Sequence, residues 1–193
     1  YNYDGKLEFE GEYLNGKKNG KGKEYYSNGK LKYEGEYLNG KRSGKGKEYN
    51  LKGEVQFEGE YLNGERHGKG KVKEFTSNGI IEFEGDFFHG KRMNGKIKEY
   101  YTNGKLKFEG ELLNKKIWNG KGYNIEGEEE LEIKNGNGYR KEYNQNDDLK
   151  FEGEYINGER NGKGREYYKD GTIKFEGEYL NDLRNGKGKE YQI

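Results

Sequence analysis

The sequence predicts an all-β fold, one long antiparallel meander of about eight tandem β-hairpins, and three observations predict it. An aromatic-Glu-Gly-Glu/Asp signature opens units at Phe9, Tyr33, Phe57, Phe83, Phe108, Phe151 and Phe175, and a repeat of roughly two dozen residues is one supersecondary unit. Within a unit, apolar and charged residues alternate with the period of two that marks a half-buried strand. Asn-Gly pairs interrupt the alternation, and they are a strong hairpin signal because a type I′ turn needs positive φ at both central residues.

Phe9 opens the first unit, which Gly20 and Gly22 close. In the second unit, Leu31, Tyr33, Gly35 and Tyr37 face one way and Lys32, Glu34 and Glu36 the other. Asn39-Gly40 then turns the chain into a second strand from about Lys45 to Tyr49. Strict alternation there puts Lys45, Lys47 and Tyr49 on one face, so either a glycine bulge resets the register or Tyr49 turns outward. Across the hairpin, Lys45 and Lys47 are placed to pair with Glu34 and Glu36. The third unit ends on Gly68 and Gly70, whereas the fourth departs, with Gly95 and Ile97.

The signature intervals are 24, 24, 26 and 25 residues as far as Phe108, and then the rhythm breaks. Between Lys115 and Asp148, Trp118-Asn-Gly-Lys-Gly-Tyr123 runs straight into a degenerate copy at Ile125-Glu-Gly-Glu, only 17 residues on. A kink or altered twist is expected there. Intervals of 26 and 24 then restore the pattern at Phe151 and Phe175. Asn28-Gly29, Asn78-Gly79, Asn103-Gly104 and Asp170-Gly171 connect units. With two strands per unit at about 4.8 Å, eight units span roughly 80 Å. Residues 1–193 read as a single array. It starts inside a repeat at Tyr1 and stops at Tyr191-Gln192-Ile193, so a longer parent chain is expected.

Composition narrows the class. Leu, Ile, Val and Phe supply only 33 of 193 residues, a fraction at which disorder is suspected. However, 37 basic and 36 acidic residues cancel, and 29 aromatics offer large buriable surfaces, so the chain folds around a thin core. Without Cys there is no disulfide framework or thiolate metal site, which is compatible with the cytosol. No apolar run is long enough to span a membrane, and a net charge of +1 gives no general attraction to nucleic acid.

Tyr33-Glu-Gly-Glu-Tyr37, Asn39-Gly40-Lys-Arg and Gly44-Lys-Gly46 closely resemble the MORN repeat (membrane occupation and recognition nexus). The resemblance covers essentially the whole chain. It implies an elongated single-layer sheet that curves, solenoid-like, into a shallow groove, and a role as scaffold, peptide- or helix-binding module or membrane-associated linker. Where the family often has Trp, this chain has Tyr13, Tyr37, Tyr61, Phe87, Leu112, Tyr155 and Tyr179.

No catalytic constellation emerges. Gly20-Lys-Gly-Lys23 lacks the spacing and helix of a phosphate loop. His67 and His89 read as turn residues replacing Asn, and no metal or cofactor site is expected. Evenly spread Glu residues read as a charged face, and Asn146-Asp147-Asp148 as a solvated turn. The candidate site is the aromatic stripe. A single-layer sheet has nothing behind it, so Tyr13, Tyr37, Tyr61, Phe87, Tyr155 and Tyr179 are expected to line a partner-binding groove. Trp118 is either an anchor in that groove or a plug for the missing connection.

The expected function is a non-enzymatic scaffold that holds a partner peptide or helix. The alternatives are binding of anionic phospholipid head groups and carbohydrate recognition by aromatic repeats. A homodimer through array ends near Tyr1 and Ile193 is expected, and the location is expected to be cytoplasmic, at the cytoskeleton or membrane periphery.

Overall fold

A computed structural model describes residues 5–77 and 79–192, with positions 70 and 71 described by backbone alone. Among these residues there is no helix, and sixteen strands hydrogen-bond each to the next in sequence order. The first four hairpins are β1 (Phe9–Leu14) with β2 (Lys17–Tyr25), β3 (Leu31–Leu38) with β4 (Lys41–Tyr49), β5 (Val55–Leu62) with β6 (Glu65–Phe75), and β7 (Ile81–Phe88) with β8 (Lys91–Tyr100). The next four are β9 (Leu106–Leu113) with β10 (Lys116–Tyr123), β11 (Glu129–Lys134) with β12 (Asn137–Tyr143), β13 (Leu149–Ile156) with β14 (Glu159–Tyr167), and β15 (Ile173–Leu180) with β16 (Leu183–Glu190). The chain divides into two compact units, Tyr1–Gly95 and Lys96–Ile193.

Each hairpin tip is a two-residue turn with positive φ at both positions, as at Asn39 (52°) and Gly40 (88°), the geometry of a type I′ turn. His89 occupies the Asn place at 48°, as expected, but His67 lies within β6 rather than in a turn. Lys115 (72°) and Asp182 (66°) occupy the Gly place. The turns between hairpins differ. There a single residue is left-handed, glycine in most, as at Gly29 (80°), and Asp147 (64°) in the turn after β12, while the Asn28 side chain accepts the Lys30 N–H at 3.0 Å. In the expected Asn78-Gly79 turn, Asn78 lies outside the described residues.

The register of the second strand combines both alternatives. Gly35 pairs with Gly46 but Glu36 pairs with Ser43, so Gly44 and Lys45 bulge out of the β3–β4 ladder. Two extra residues preserve the alternation. Arg42 and Glu48 therefore share the face of Tyr37 and Tyr33, and Tyr49 turns to the opposite face, where its hydroxyl donates to Glu34 at 2.6 Å. Lys45 consequently pairs with Glu60 of the next hairpin rather than across its own. The second Glu of the signature has a local task at such bulges. Glu12 and Glu154 accept the N–H groups of Lys21 (3.2 Å) and Lys163 (2.8 Å) beside the bulge, because a backbone donor left without a partner is costly.

The core of each unit is a row of rings lying over paired glycines. A Cβ on Gly46 would stand 2.4 Å from the Tyr33 hydroxyl, so the ring occupies the space a side chain would need. In the first unit, edge-to-face contacts run unbroken through Tyr13, Phe9, Tyr37, Tyr33, Tyr61, Phe57, Phe87 and Phe83, with centroids 5.2–5.5 Å apart. In the second, Tyr155, Phe151, Tyr179 and Phe175 continue the same arrangement. Tyr37, Tyr61, Phe87 and Tyr179 thus each wedge between the first aromatic of their own hairpin and that of the hairpin before.

Candidate functional site

The ring face is closed by charge. The Arg42 guanidinium lies 4.0 Å from the Tyr33 ring centroid and reaches Glu24 and Glu48, each at 2.8 Å. Arg66 covers Phe57 at 4.4 Å and bridges Glu48 to Glu74, and Arg92 bridges Glu74 to Glu82. The second unit repeats the device with Arg160 on Glu142 and with Arg184 between Glu166 and Glu190. Arg42, Arg66, Arg92 and Arg160 are half-buried, and their stems and planar heads seal the rings from water, whereas Arg184 in the last strand is exposed. Burial raises the Glu24 pKa, but the hydrogen bond and charge of Arg42 outweigh it and hold the carboxyl below its ordinary value. At Glu166, the Arg184 hydrogen bond brings the pKa down to about 2.

This arrangement corrects the expectation of an open aromatic groove. Tyr37, Tyr61, Phe87, Tyr155 and Tyr179 are 3–6% exposed, sealed between neighbouring rings and the guanidinium layer. Tyr13 is the exception at 60% exposed, and among the described residues its ring meets that of Phe9. Trp118 sits half-buried in β10, where its carbonyl accepts the Gly136 N–H at 2.7 Å. Asp147 is not a solvated turn residue either, since it pairs with buried Lys107 at 2.5 Å. Tyr1 and Ile193, the expected dimer contacts, lie outside the described residues. The signal missed in the sequence was the Arg two residues after the tip glycine, as at Arg42 and Arg66, together with the Glu six or eight residues beyond it, Glu48 and Glu74. Both fall on the ring face only once the bulge is known.

The open face is the charged one. Direct register partners form a row across the first unit, Glu10, Lys23, Glu34, Lys47, Glu58, Lys73 and Glu84, alternating in sign at every strand. Beside this row the backbone of Gly35, Gly46 and Gly59, whose Cα atoms face the rings on the other side, floors an open trough of about 990 Å³. The second unit has a smaller trough of its own, lined by Tyr139, Glu152 and Lys163 among others. At the hairpin tips of the first unit, Leu14, Leu38, Leu62 and Phe88 are 44–57% exposed. Their turns are tied together: the N–H groups of Gly40, Gly64 and Gly90 donate to the carbonyls of Lys18, Arg42 and Arg66 at 2.8–3.0 Å. The apolar tips therefore form a fixed row. Among the described residues, no three His, Asp or Glu side chains converge as a metal site would require.

A family model of the MORN repeat matches residues 9–30, 33–50, 57–72, 151–173 and 175–192, and a model of a MORN repeat variant matches 93–114. The chain is a MORN-repeat protein. A search of curated proteins finds no match. The matches omit the stretch from 115 to 150, where the short β11–β12 hairpin lies. MORN repeats are generally associated with protein- or membrane-binding scaffolds, and the family is of a non-catalytic type. Among the described residues, no helix is long and apolar enough to cross a membrane.

Proposed function

We propose that this MORN array is a non-enzymatic scaffold whose charged trough, over residues 10–84, seats a helical segment of a protein partner. The alternating row of charges that lines the trough carries this reading. Opposite charges recur every ~4.8 Å across strands, close to the rise of one turn of an α-helix, about 5.4 Å. A helix with opposite charges at i and i+4 finds a counter-charge for each. Leu14, Leu38, Leu62 and Phe88 recur every second strand, about 10 Å apart, which meets side chains seven residues apart on a helix. Carbohydrate recognition loses its support, because the rings it needs are in the core.

Anionic membrane binding is a second reading, favoured by one observation. Lys17, Lys41 and Lys91 stand three residues after the exposed Leu14, Leu38 and Phe88, the first two in register with them across the turn, and apolar tips beside lysines suit a headgroup region.

The experiment is selection of peptides from a helix-display library on the immobilised chain, followed by titration against variants. Leu38→Asp/Leu62→Asp and Lys47→Glu are expected to weaken selected peptides by about tenfold or more, whereas Tyr13→Ala leaves them unchanged. Peptides that ignore both trough variants would overturn the reading. Flotation of the chain with anionic vesicles, lost in Leu38→Asp/Leu62→Asp, would favour the membrane instead.

A further inference from the structure

Lys107 is buried, at 8% exposed. Its ammonium lies 4.7 Å from the Tyr101 ring centroid and 5.0 Å from that of Tyr143, and 2.5 Å from Asp147 Oδ1. The two rings meet edge to face at 5.9 Å. Each wall is itself held. The Tyr101 hydroxyl donates to the Tyr123 carbonyl at 2.8 Å, and Asp147 Oδ2 accepts the Thr102 N–H at 2.7 Å. Two aromatic faces and a carboxylate converging on one ammonium are the elements of a cation-recognition box.

The repeat supplies a control for this arrangement. Lys32 over Tyr26 (5.8 Å) and Lys174 over Tyr168 (6.0 Å) occupy the same positions in two regular hairpins, and both tyrosines donate to a carbonyl as Tyr101 does. There the lysine has one ring at longer range. At Lys107 the irregular segment adds the second ring and the acid. β11 and β12 are short, at six and seven residues, and the turn after β12 reaches past the intervening turn to the one at Tyr101–Gly104.

We propose that Tyr101, Tyr143 and Asp147 form a receptor for a primary alkylammonium group, filled in cis by Lys107, which clasps the irregular segment to the turn at Tyr101–Gly104. With the lysine side chain removed, the box takes a free alkylammonium of matching length. The site shares no residue with the trough and stands or falls independently of it.

The test uses the full chain with Lys107→Ala and n-propylammonium, whose three carbons and ammonium replace the Cγ, Cδ, Cε and Nζ that the substitution deletes. The variant is expected to melt lower than the parent and to regain stability saturably with n-propylammonium chloride. Sodium chloride and 1-propanol should not restore it, and neither the parent nor Lys107→Ala/Asp147→Asn should respond. No specific response in Lys107→Ala, or an equal one in the parent, would overturn the receptor. Lys107→Met serves where the alanine variant does not fold, because it fills the volume without the charge. Loss of the charged partner should free Asp147 and speed amide exchange at Thr102 by about tenfold. Unchanged exchange would show that the box holds bulk rather than an ammonium.

Discussion

The guanidinium of Arg66 lies 4.4 Å from the centroid of Phe57, a ring with no exposed surface. One residue thus seals a hairpin's core ring and bridges carboxylates from two strands, Glu48 and Glu74. Removing it leaves two half-buried acids facing each other over an uncovered ring. Arg66→Ala should destabilise the chain by about 2 kcal/mol in urea unfolding, allowing for the partial exposure of the group. Arg66→Met, which keeps the cover but not the charge, should recover part of that loss. Equal stability of all three chains would show the layer to be ornamental.

Acid should weaken the fold over a defined window. The Glu166 pKa is depressed from 4.5 to about 2, chiefly by its hydrogen bond with Arg184. A depressed carboxylate contributes stability that is present above its unfolded value and lost as pH falls through the folded one. Glu24 and Glu142 are lowered as well, burial being outweighed by Arg42 at the first and by Arg160 and Tyr155 at the second. Stability should therefore fall between pH 4.5 and about 2, and Glu166→Gln should flatten that fall. A variant whose stability drops with pH as steeply as the parent's would refute the assignment.

Lys115 holds φ at 72° where most of the other tips have glycine. A side chain in the left-handed region costs roughly 1 kcal/mol relative to glycine. Lys115→Gly should raise stability by up to about 1 kcal/mol, read as an increased urea midpoint at unchanged slope. A lower midpoint would mean that the lysine side chain makes a contact worth more than the strain.

Much of the fold was legible because its signals are local. Asn39-Gly40 specifies a type I′ turn by backbone sterics alone, and alternation from Leu31 to Tyr37 assigns faces without reference to the rest of the chain. The site was less legible. Whether Tyr61 is open or sealed depends on Tyr33 of the previous hairpin and on Arg42 and Arg66, and the bulge at Gly44–Lys45 decides where Arg42 points. Nor did spacing reveal Lys107 with Asp147, forty residues apart, because their meeting depends on how far the short β11–β12 hairpin lets the flanking turns approach.

Residue-resolved hydroxyl-radical footprinting of the native chain tests the central claim most directly, because it reads tyrosine and leucine side chains in one experiment. With the ring face closed and the charged face open, Tyr13, Leu14, Leu38 and Leu62 should label rapidly, while Tyr33, Tyr37 and Tyr61 stay nearly silent until the chain is unfolded. Labelling of Tyr37 and Tyr61 at the rate of Leu38 would contradict the account and return the interaction surface to the rings.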